Sequence, residues 1–594
     1  MTTTRRNLLK FVGGGAAGAL LTPAPWRLIT DTALWSENWP GIPRPARGEI
    51  HSRFTHCTLC PAGCAVRARC VNGQPVSLAG LKPHPISHGA LCPWGIAGHH
   101  LPYHPARVRQ GPVKEALAAV ARAISQRGAG ERVAVLDLRP GRTVSWTYRR
   151  AMAAIDDGLY LAPRQPAYSI DLAAAQTVIS FGAPVFDGWG TPGNVFAARA
   201  NFRLVQIEPV ETRSAALADV WLPIRPGTES AMAAALAGET SIAEAARVTG
   251  VGEQAIGAVR ESIGSGSTVV LAADLASPLM NLNAKLGALG HTVVARREAP
   301  LPDAWKKAAP ATEMAAVPDR AIRVLLIDES LPGGYVPWRE IEPKLAANAV
   351  VVVFSSTSEG YGRHTQYVLP AAVFPEAVED VGPAIDTVAA VFRIAAPLIP
   401  PVVPVVNLGE LVTRIAGLPQ TDPLRERADA IRKAGRGVLL SYADGKSTLM
   451  KDVSADDFWK TLNQGGCWMD DTGKKAAPGK LEFRAAGEPP RDDLPLTVVA
   501  AEVRRGGLES PLMSKLERES NLRMTANRVM LSPADARSNG IENGGRCVFE
   551  TACGRLSVVA TIDAGVPAGV VEVAGGPRMA DLCGSGPRAR VVRA

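Results

Sequence analysis

With 594 residues, the chain has room for about three or four domains and a large hydrophobic core. Its 46% hydrophobic and 20% charged residues are ordinary globular values. The net charge of +9 is spread along the whole length, with no block of like charges and no interleaving of aromatic and basic residues, which excludes nucleic acid as a partner.

Near the N-terminus, Arg5-Arg6 precede Leu8, Leu9 and Lys10, and an apolar stretch runs from Phe11 to Leu21. That stretch is too short to span a bilayer as an ordinary helix. It has the basic-then-apolar order of an export signal. The order Thr4-Arg5-Arg6-x-Leu-Leu-Lys resembles a twin-arginine signal. That route carries folded proteins, which suits a chain that receives a cofactor in the cytoplasm. No clear A-x-A cleavage site follows, so a retained N-terminal anchor stays open. The run 397–406 is apolar but broken by prolines, and no other stretch is long enough to cross a membrane.

Cys57, Cys60, Cys64 and Cys92 follow in the order C-x2-C-x3-C-x27-C. Disulfide pairing is the rival explanation in an exported chain. The first three lie too close together to serve as independent loop staples, and with Cys70 the group is odd in number. They suit convergence on one centre. Soft thiolates suit iron, and Fe–S clusters are held by four of them. The short loop can wrap three corners of a cubane while the distant cysteine closes the fourth. Zinc also takes four cysteines, usually from two C-x2-C knuckles, but the segment around Cys92 offers one. The spacing therefore predicts a [4Fe-4S] cluster with these four residues as its metal ligands.

The stretch from Cys57 to Arg107 resembles the iron–sulfur domain of the dimethyl-sulfoxide-reductase family of molybdopterin oxidoreductases. Matching pieces are Asn72-Gly73, Gly80, His84-Pro85, Gly89, Cys92, Gly95, Tyr103-His104-Pro105 and Arg107. The resemblance implies that His84, His88, His99, His100 and His104 are loop and packing residues rather than ligands.

Beyond Arg107, residues 111–125 show an amphipathic helix pattern. Apolar runs at 133–137, 177–182, 202–207, 268–273, 323–327 and 350–354 then read as buried parallel strands alternating with helices. Ligands of such sheets sit at the carboxyl ends of the strands. Residues 171–236 are similar to the family's first nucleotide-binding half, and residues 323–376 to its second. Residues 418–493 read as a helical insert and polar connector. From Leu494 onward, short β runs separated by turn residues predict a closed barrel. It resembles the family's C-terminal cofactor-covering barrel. Cys467, Cys547, Cys553 and Cys583 are scattered and read as structural thiols.

The expected architecture is α/β: a signal and linker at 1–45, a [4Fe-4S] domain at 46–108, two doubly wound βα halves at 109–417, the insert and connector at 418–493, and a C-terminal β-barrel at 494–594. The family usually carries Lys or Arg after the fourth cysteine, between cluster and pterin, where this chain has Pro93-Trp94. The family's two G-x-N turns read Gly182-Ala183-Pro184 and Asp328-Glu329-Ser330, although a phosphate-facing turn wants N–H donors rather than carboxylates. The Asp of the family's P-G-t-D has become Glu229. No cysteine occurs between Cys92 and Cys467, and Ser145, Asp156 and Asp157 read as ordinary surface or turn residues rather than molybdenum ligands.

This pattern resembles the molybdenum-free subunits of alternative complex III and of the menaquinone reductase complex. It implies an exported [4Fe-4S] electron-transfer subunit of a quinone/quinol oxidoreductase complex, on the periplasmic side of the cytoplasmic membrane. The implied partners are a ferredoxin-like multi-cluster iron–sulfur subunit and a polytopic quinol-binding membrane subunit. One rival is an active molybdenum or tungsten enzyme acting on an inorganic oxyanion or sulfur compound. It would hold molybdopterin guanine dinucleotide through Glu208, Pro209, Gly227, Thr228 and the barrel. A structural scaffold is the second rival, and four intact cysteines count against it.

Overall fold

The computed structural model describes residues 5–21, 48–104, 107–186, 188–273, 277–330, 334–358, 360–473, 475–483, 494–500, 527–574, 582 and 588–594. The readings made for the linker after Leu21, Pro105, residues 484–493 of the connector, Cys583 and residues 501–526 of the barrel lie outside them. The chain divides into two units, Met1–Arg47 and Gly48–Ala594. In the first, Arg5–Leu21 is one helix. Among the described residues, no helix is long and apolar enough to cross a membrane.

The second unit begins with an antiparallel three-stranded sheet of β1 (Ile50–His56), β2 (Ala65–Val71) and β3 (Gln74–Gly80). Register pairs His56 with Ala65, so the loop 57–64 leaves and re-enters the sheet at one place. A short helix, α1 (Pro93–Ala97), follows directly on Cys92.

Two parallel sheets form the centre. One has six strands in the order 311–312, 158–161, 132–137, 322–329, 345–355 and 367–370. The other has four, in the order 268–272, 177–181, 203–207 and 220–222. The six apolar runs identified in the sequence all fall on these strands. Such strands are buried on both faces, which is why they read as continuous apolar runs without alternation. In the six-stranded sheet Val133, Val135, Val324 and Leu326 pack into one cluster, while Ala134, Leu136, Leu325 and Ile327 pack into another. The four-stranded sheet divides Val178 and Leu204 from Ile179 and Val205 in the same way.

Residues 418–493 depart from the helical insert expected of them. Pro423–Ala434 and Ala455–Asn463 are helices, but Val438–Leu440, Ser447–Leu449 and Cys467–Asp470 are strands. They join Ala390–Ala395 and Glu379–Asp380 in a five-stranded sheet. These strands are only three or four residues long, too short to show a period, so successive pairing outward from the strand 390–395, through 467–470 to 438–440 and 447–449, decides their conformation. The last part is a closed six-stranded barrel, in the order 496–500, 570–574, 528–531, 554–562, 546–551 and 588–593.

A buried ion pair fastens the three-stranded sheet region to the core. Arg107 donates to Glu376 through both Nη atoms, at 2.7 and 2.6 Å, and the two side chains are 1% and 0% exposed. Each residue ends one of the sequence blocks that carried the family resemblance.

Candidate metal centre

The loop between β1 and β2 is held from within and from outside. Cys57 N donates to Cys64 O at 2.9 Å, and Gly63 N donates to Cys60 O at 3.3 Å. Gly63 has φ +55°, and a Cβ there would lie 2.5 Å from Val381 and 2.6 Å from the Arg393 guanidinium. Glycine is thus required twice, by backbone conformation and by the neighbour pressed against it. Beneath the loop, β1 lies along the strand 390–395. Thr55 Oγ1 donates to Ala396 O at 2.6 Å, and His56 Nδ1 bonds Ile394 O at 3.1 Å.

The four predicted cysteines come together. Cys57 and Cys64 are buried, Cys60 and Cys92 half-buried, and none is in a disulfide. Burial pushes the Cys57 thiol well above the usual thiol range, and the neighbouring Cys60, Cys64 and Cys92 push it further. Cys64 is raised by the same causes, burial first and then Cys60 and Cys92. Burial also raises Cys92, against N–H groups of Gly95 and Trp94 directed at its sulfur. A Cβ on Gly95 would sit 3.6 Å from Cys57 Sγ, so the first ligand candidate touches the helix that follows the last. Buried thiols such as Cys57, Cys64 and Cys92, whose thiolate forms burial and neighbouring thiols disfavour, are poor neighbours unless a metal replaces their protons. Among the described residues, no three His, Cys, Asp or Glu side chains close around a single point as they would around one ion. A cubane holds its thiolates farther apart, one at each iron. Four cysteines, three of them on one eight-residue loop, are a donor set that suits an iron–sulfur cluster.

Two arginines missed in the sequence reach this loop. Arg139, just beyond the strand 132–137, donates to Thr58 O, and its Nη2 donates to Cys60 O at 2.8 Å. Arg393 donates from Nη2 to Ala62 O at 3.0 Å. Its charge draws the Cys64 pKa down against the effect of burial. A sequence cue existed for each. Arg139 lies at the carboxyl end of a parallel strand, where ligands of such sheets bind. Arg393 is the one charge within the apolar run 389–399.

His84 and His56 behave as packing residues, whereas His88 is exposed at φ +46°. His84 is buried, and its Nδ1 accepts from Ile86 N and Ser87 N at 3.1 Å each. Burial, reinforced by Arg393, lowers the His56 pKa to about 3, so it is neutral under any working condition. Trp94 is buried among Cys57, Leu59 and Leu101. Cys467 is buried, with its thiol pushed up to about 12 by burial, and Cys547 is buried in the barrel. Cys553 differs from the structural-thiol reading: it is exposed, and Arg339 Nη1 approaches its sulfur at 3.3 Å.

The two turns that correspond to the family's dinucleotide anchors are filled by the chain's own side chains. At the second, Asp328 accepts from Arg142 Nη2 at 2.7 Å, Tyr148 Oη at 2.8 Å and Ser330 Oγ at 2.5 Å. Burial alone would raise its pKa, but Arg142, Ser330 and Tyr148 hold it below the usual carboxylate range. Arg142 also pairs with Asp137 at 3.2 Å and Glu379 at 2.9 Å. A cavity of about 670 Å³ opens beside this network, lined by Arg142, Tyr148, Asp328, Glu379, Phe354 and the prolines 397, 400 and 401.

At the first turn, the Glu208 carboxylate faces Gly182 at 3.9 Å from where a Cβ would be. It accepts from Gln206 Nε2 at 2.9 Å and Thr212 Oγ1 at 2.5 Å, and burial raises its pKa. Pro209 follows it in a buried turn. Gly227 N bonds Glu229 at 3.3 Å, and Thr228 Oγ1 bonds Arg225 O at 2.5 Å. Ser145 departs from the surface-or-turn reading: it is buried within the helix Thr143–Ala154, where its hydroxyl accepts from Arg142 N at 3.3 Å. Asp156 and Asp157 are exposed, Asp157 at φ +55° in a turn.

The family description "Molybdopterin oxidoreductase Fe4S4 domain" matches residues 50–104. The chain carries a molybdopterin oxidoreductase Fe4S4 domain. Its cofactor is accordingly a [4Fe-4S] cluster. The chain is 25% identical to the menaquinone reductase molybdopterin-binding-like subunit of Nitratidesulfovibrio vulgaris, over 95% of this chain and 92% of that one. It is 26% identical to a sulfite dehydrogenase subunit from Allochromatium vinosum, over 32% of this chain and 24% of that one. The fold is that of acetylene hydratase from Pelobacter acetylenicus, with a TM-score of 0.67 at 13% identity, covering 91% of this chain and 100% of that one.

Proposed function

We propose that this chain is a [4Fe-4S]-bearing electron-transfer subunit of a membrane-associated quinone/quinol oxidoreductase complex, with no molybdenum or tungsten chemistry of its own. Cys57, Cys60, Cys64 and Cys92 hold the cluster as thiolates. When bound, the cluster supplies one-electron transfer, so two-electron quinol chemistry belongs to a partner. The half-buried pair Cys60 and Cys92 forms the edge through which electrons pass to that partner. Cys57, with Trp94 packed against it, and the buried Cys64 keep water from the inner side.

The observation that carries this reading is the filling of the second dinucleotide turn. A diphosphate needs open N–H donors and positive charge at a strand end. Here Asp328 points into that place and has already claimed Arg142, Tyr148 and Ser330. Arg142 would keep Asp137 and Glu379, but displacing Asp328 would strand a buried carboxylate from its cation, at a cost of about 3–5 kcal/mol. Glu208 at the first turn adds a second carboxylate where an anion would lie. The name of the Nitratidesulfovibrio relative supports the quinone side of the reading. The partners are a ferredoxin-like multi-cluster subunit and a polytopic quinol-binding membrane subunit. The paired arginines Arg5 and Arg6 direct twin-arginine export to the periplasmic face of the membrane.

The test is isolation of the tagged full chain from membranes of its own host, followed by addition of a menaquinol analogue under anaerobic conditions. The reading expects co-isolated iron–sulfur and membrane subunits and the appearance of a reduced [4Fe-4S] electron paramagnetic resonance signal from this chain. A chain that isolates alone and whose cluster no quinol reduces would contradict it.

A further inference from the structure

Arg139 and Arg393 reach the cysteine loop from two separate elements, 79 and 331 residues away from the carbonyls they bind. Arg393 is fully buried, and its Nε and Nη1 atoms have no hydrogen-bond partner. Arg139 is 6% exposed. Among the described residues, neither guanidinium has a carboxylate within 4 Å, and Glu379, which pairs with Arg142, acts on Arg139 only from farther away. The contrast with Arg142 three residues away is sharp, because Arg142 faces three carboxylates. A buried guanidinium is always charged, and leaving it without a counter-ion is strongly unfavourable. Both lie where four thiolates would converge. Four thiolates outweigh the positive charge of a cubane core, so the loaded centre is an anion, and it gains one more negative charge on reduction.

We propose that Arg139 and Arg393 are positioning cations of this site, which fix the cysteine loop through its carbonyls and raise the reduction potential of the centre by facing its added negative charge. They supply, from the end of one strand and from within another, the positive charge that Pro93-Trp94 does not. The proposal rests on the reading that the four cysteines hold a [4Fe-4S] cluster. It adds the counter-ions of that cluster and their effect on its potential. Arg393 acts on the Cys64 corner, and its Nε–H and Nη1–H are free to donate to sulfur. Arg139 acts on the Cys57 and Cys60 corners. Hydrogen bonds to sulfur and local charge are both levers on cluster potential.

The experiment is a mediated redox titration of the iron-loaded full chain, followed by electron paramagnetic resonance with dithionite as reductant. One electron enters the centre from the mediator, and no bond or proton changes. The variants are Arg139→Gln, Arg393→Gln, Arg139→Lys and Arg393→Lys. Each Gln variant is expected to lower the reduced-to-oxidised ratio at fixed ambient potential by about tenfold, equivalent to about 59 mV for one electron. Each Lys variant is expected to shift it by less than about threefold, since the charge is kept. Fully iron-loaded Gln variants that titrate like the parent would overturn the proposal. If a Gln variant fails to retain iron, the Lys variants decide. Lys variants that keep iron and potential support the cation role. Lys variants that lose iron as the Gln variants do would overturn it, since guanidinium shape and not charge would then be what matters. A parent chain without cubane absorbance would instead defeat the cysteine reading itself, a result that no variant can mimic.

Discussion

Replacing Arg107 by Met removes the cation of the Arg107–Glu376 pair while keeping most of the side-chain volume. Glu376 is then left as a carboxylate with a 0% exposed side chain. Two backbone donors remain to it, Val402 N at 2.9 Å and Val373 N at 3.4 Å. Breaking a buried pair from one side costs about 3–5 kcal/mol, and these two donors place the cost near the lower end, about 3 kcal/mol. The loss of the Arg107 bond to Pro102 O adds about 1 kcal/mol. Adding Glu376→Gln removes the stranded charge and keeps an acceptor for Val402 N. The double variant is therefore expected to be more stable than Arg107→Met by about 1–2 kcal/mol. The assay is urea unfolding of iron-loaded protein, read by circular dichroism and by loss of cluster absorbance. Limited proteolysis should show residues 48–104 cut faster in Arg107→Met. A cost below about 1 kcal/mol, or a double variant no more stable than the single one, would refute the reasoning that this pair is fully desolvated and holds the domain to the core.

Three further outcomes are expected. Cys60→Ser should remove most of the iron–sulfur absorbance and loosen residues 48–104 without unfolding the parallel sheets, because the loop depends on its metal for order; full iron content in that variant would count against the ligand set. Burial, with help from Asp563 and Glu208, raises the Glu572 pKa to about 7, above its unfolded value. The folded barrel then binds the proton more tightly than the unfolded chain, so stability falls as pH rises from about 4.5 to about 7, by up to about 3 kcal/mol. Glu572→Gln should flatten that part of the stability-versus-pH curve, and an unchanged curve would dismiss Glu572 as its cause. Finally, Arg5→Lys with Arg6→Lys should leave the protein in the cytoplasm on fractionation, whereas normal export would favour the general secretory route.

The sequence made most of the framework legible, for identifiable reasons. Strands such as 133–137, 177–181 and 350–354 are buried on both faces, so their apolar runs needed no partner to be recognised. The cysteine spacing was legible because three of the four proposed ligands share one loop of eight residues. The barrel announced itself through turn residues. What stayed hidden depends on contacts between distant segments. The sequence hints at Arg139 and Arg393 by their place at a strand end and in an apolar run, but only folding shows Arg139, Arg142 and Arg393 to be 6%, 2% and 0% exposed and brings them to their partners. The strands 438–440, 447–449 and 467–470 are too short to carry a period. The departure at Asp328-Glu329 was visible as a motif change, but its physical meaning was not. Asp328 is a fixed member of a buried network with Arg142 and Tyr148, rather than a loose carboxylate at a turn.

The central claim is that the chain keeps the iron–sulfur site and has closed the pterin site with its own side chains. Elemental analysis with pterin extraction, on full-length protein made in a host that supplies the molybdenum cofactor, tests it most directly. The account predicts about four irons per chain and less than about a tenth of a molybdenum or tungsten, with no extractable pterin. Stoichiometric molybdenum or tungsten accompanied by two pterins would contradict it and would make the Asp328–Arg142 network something that opens to admit a cofactor.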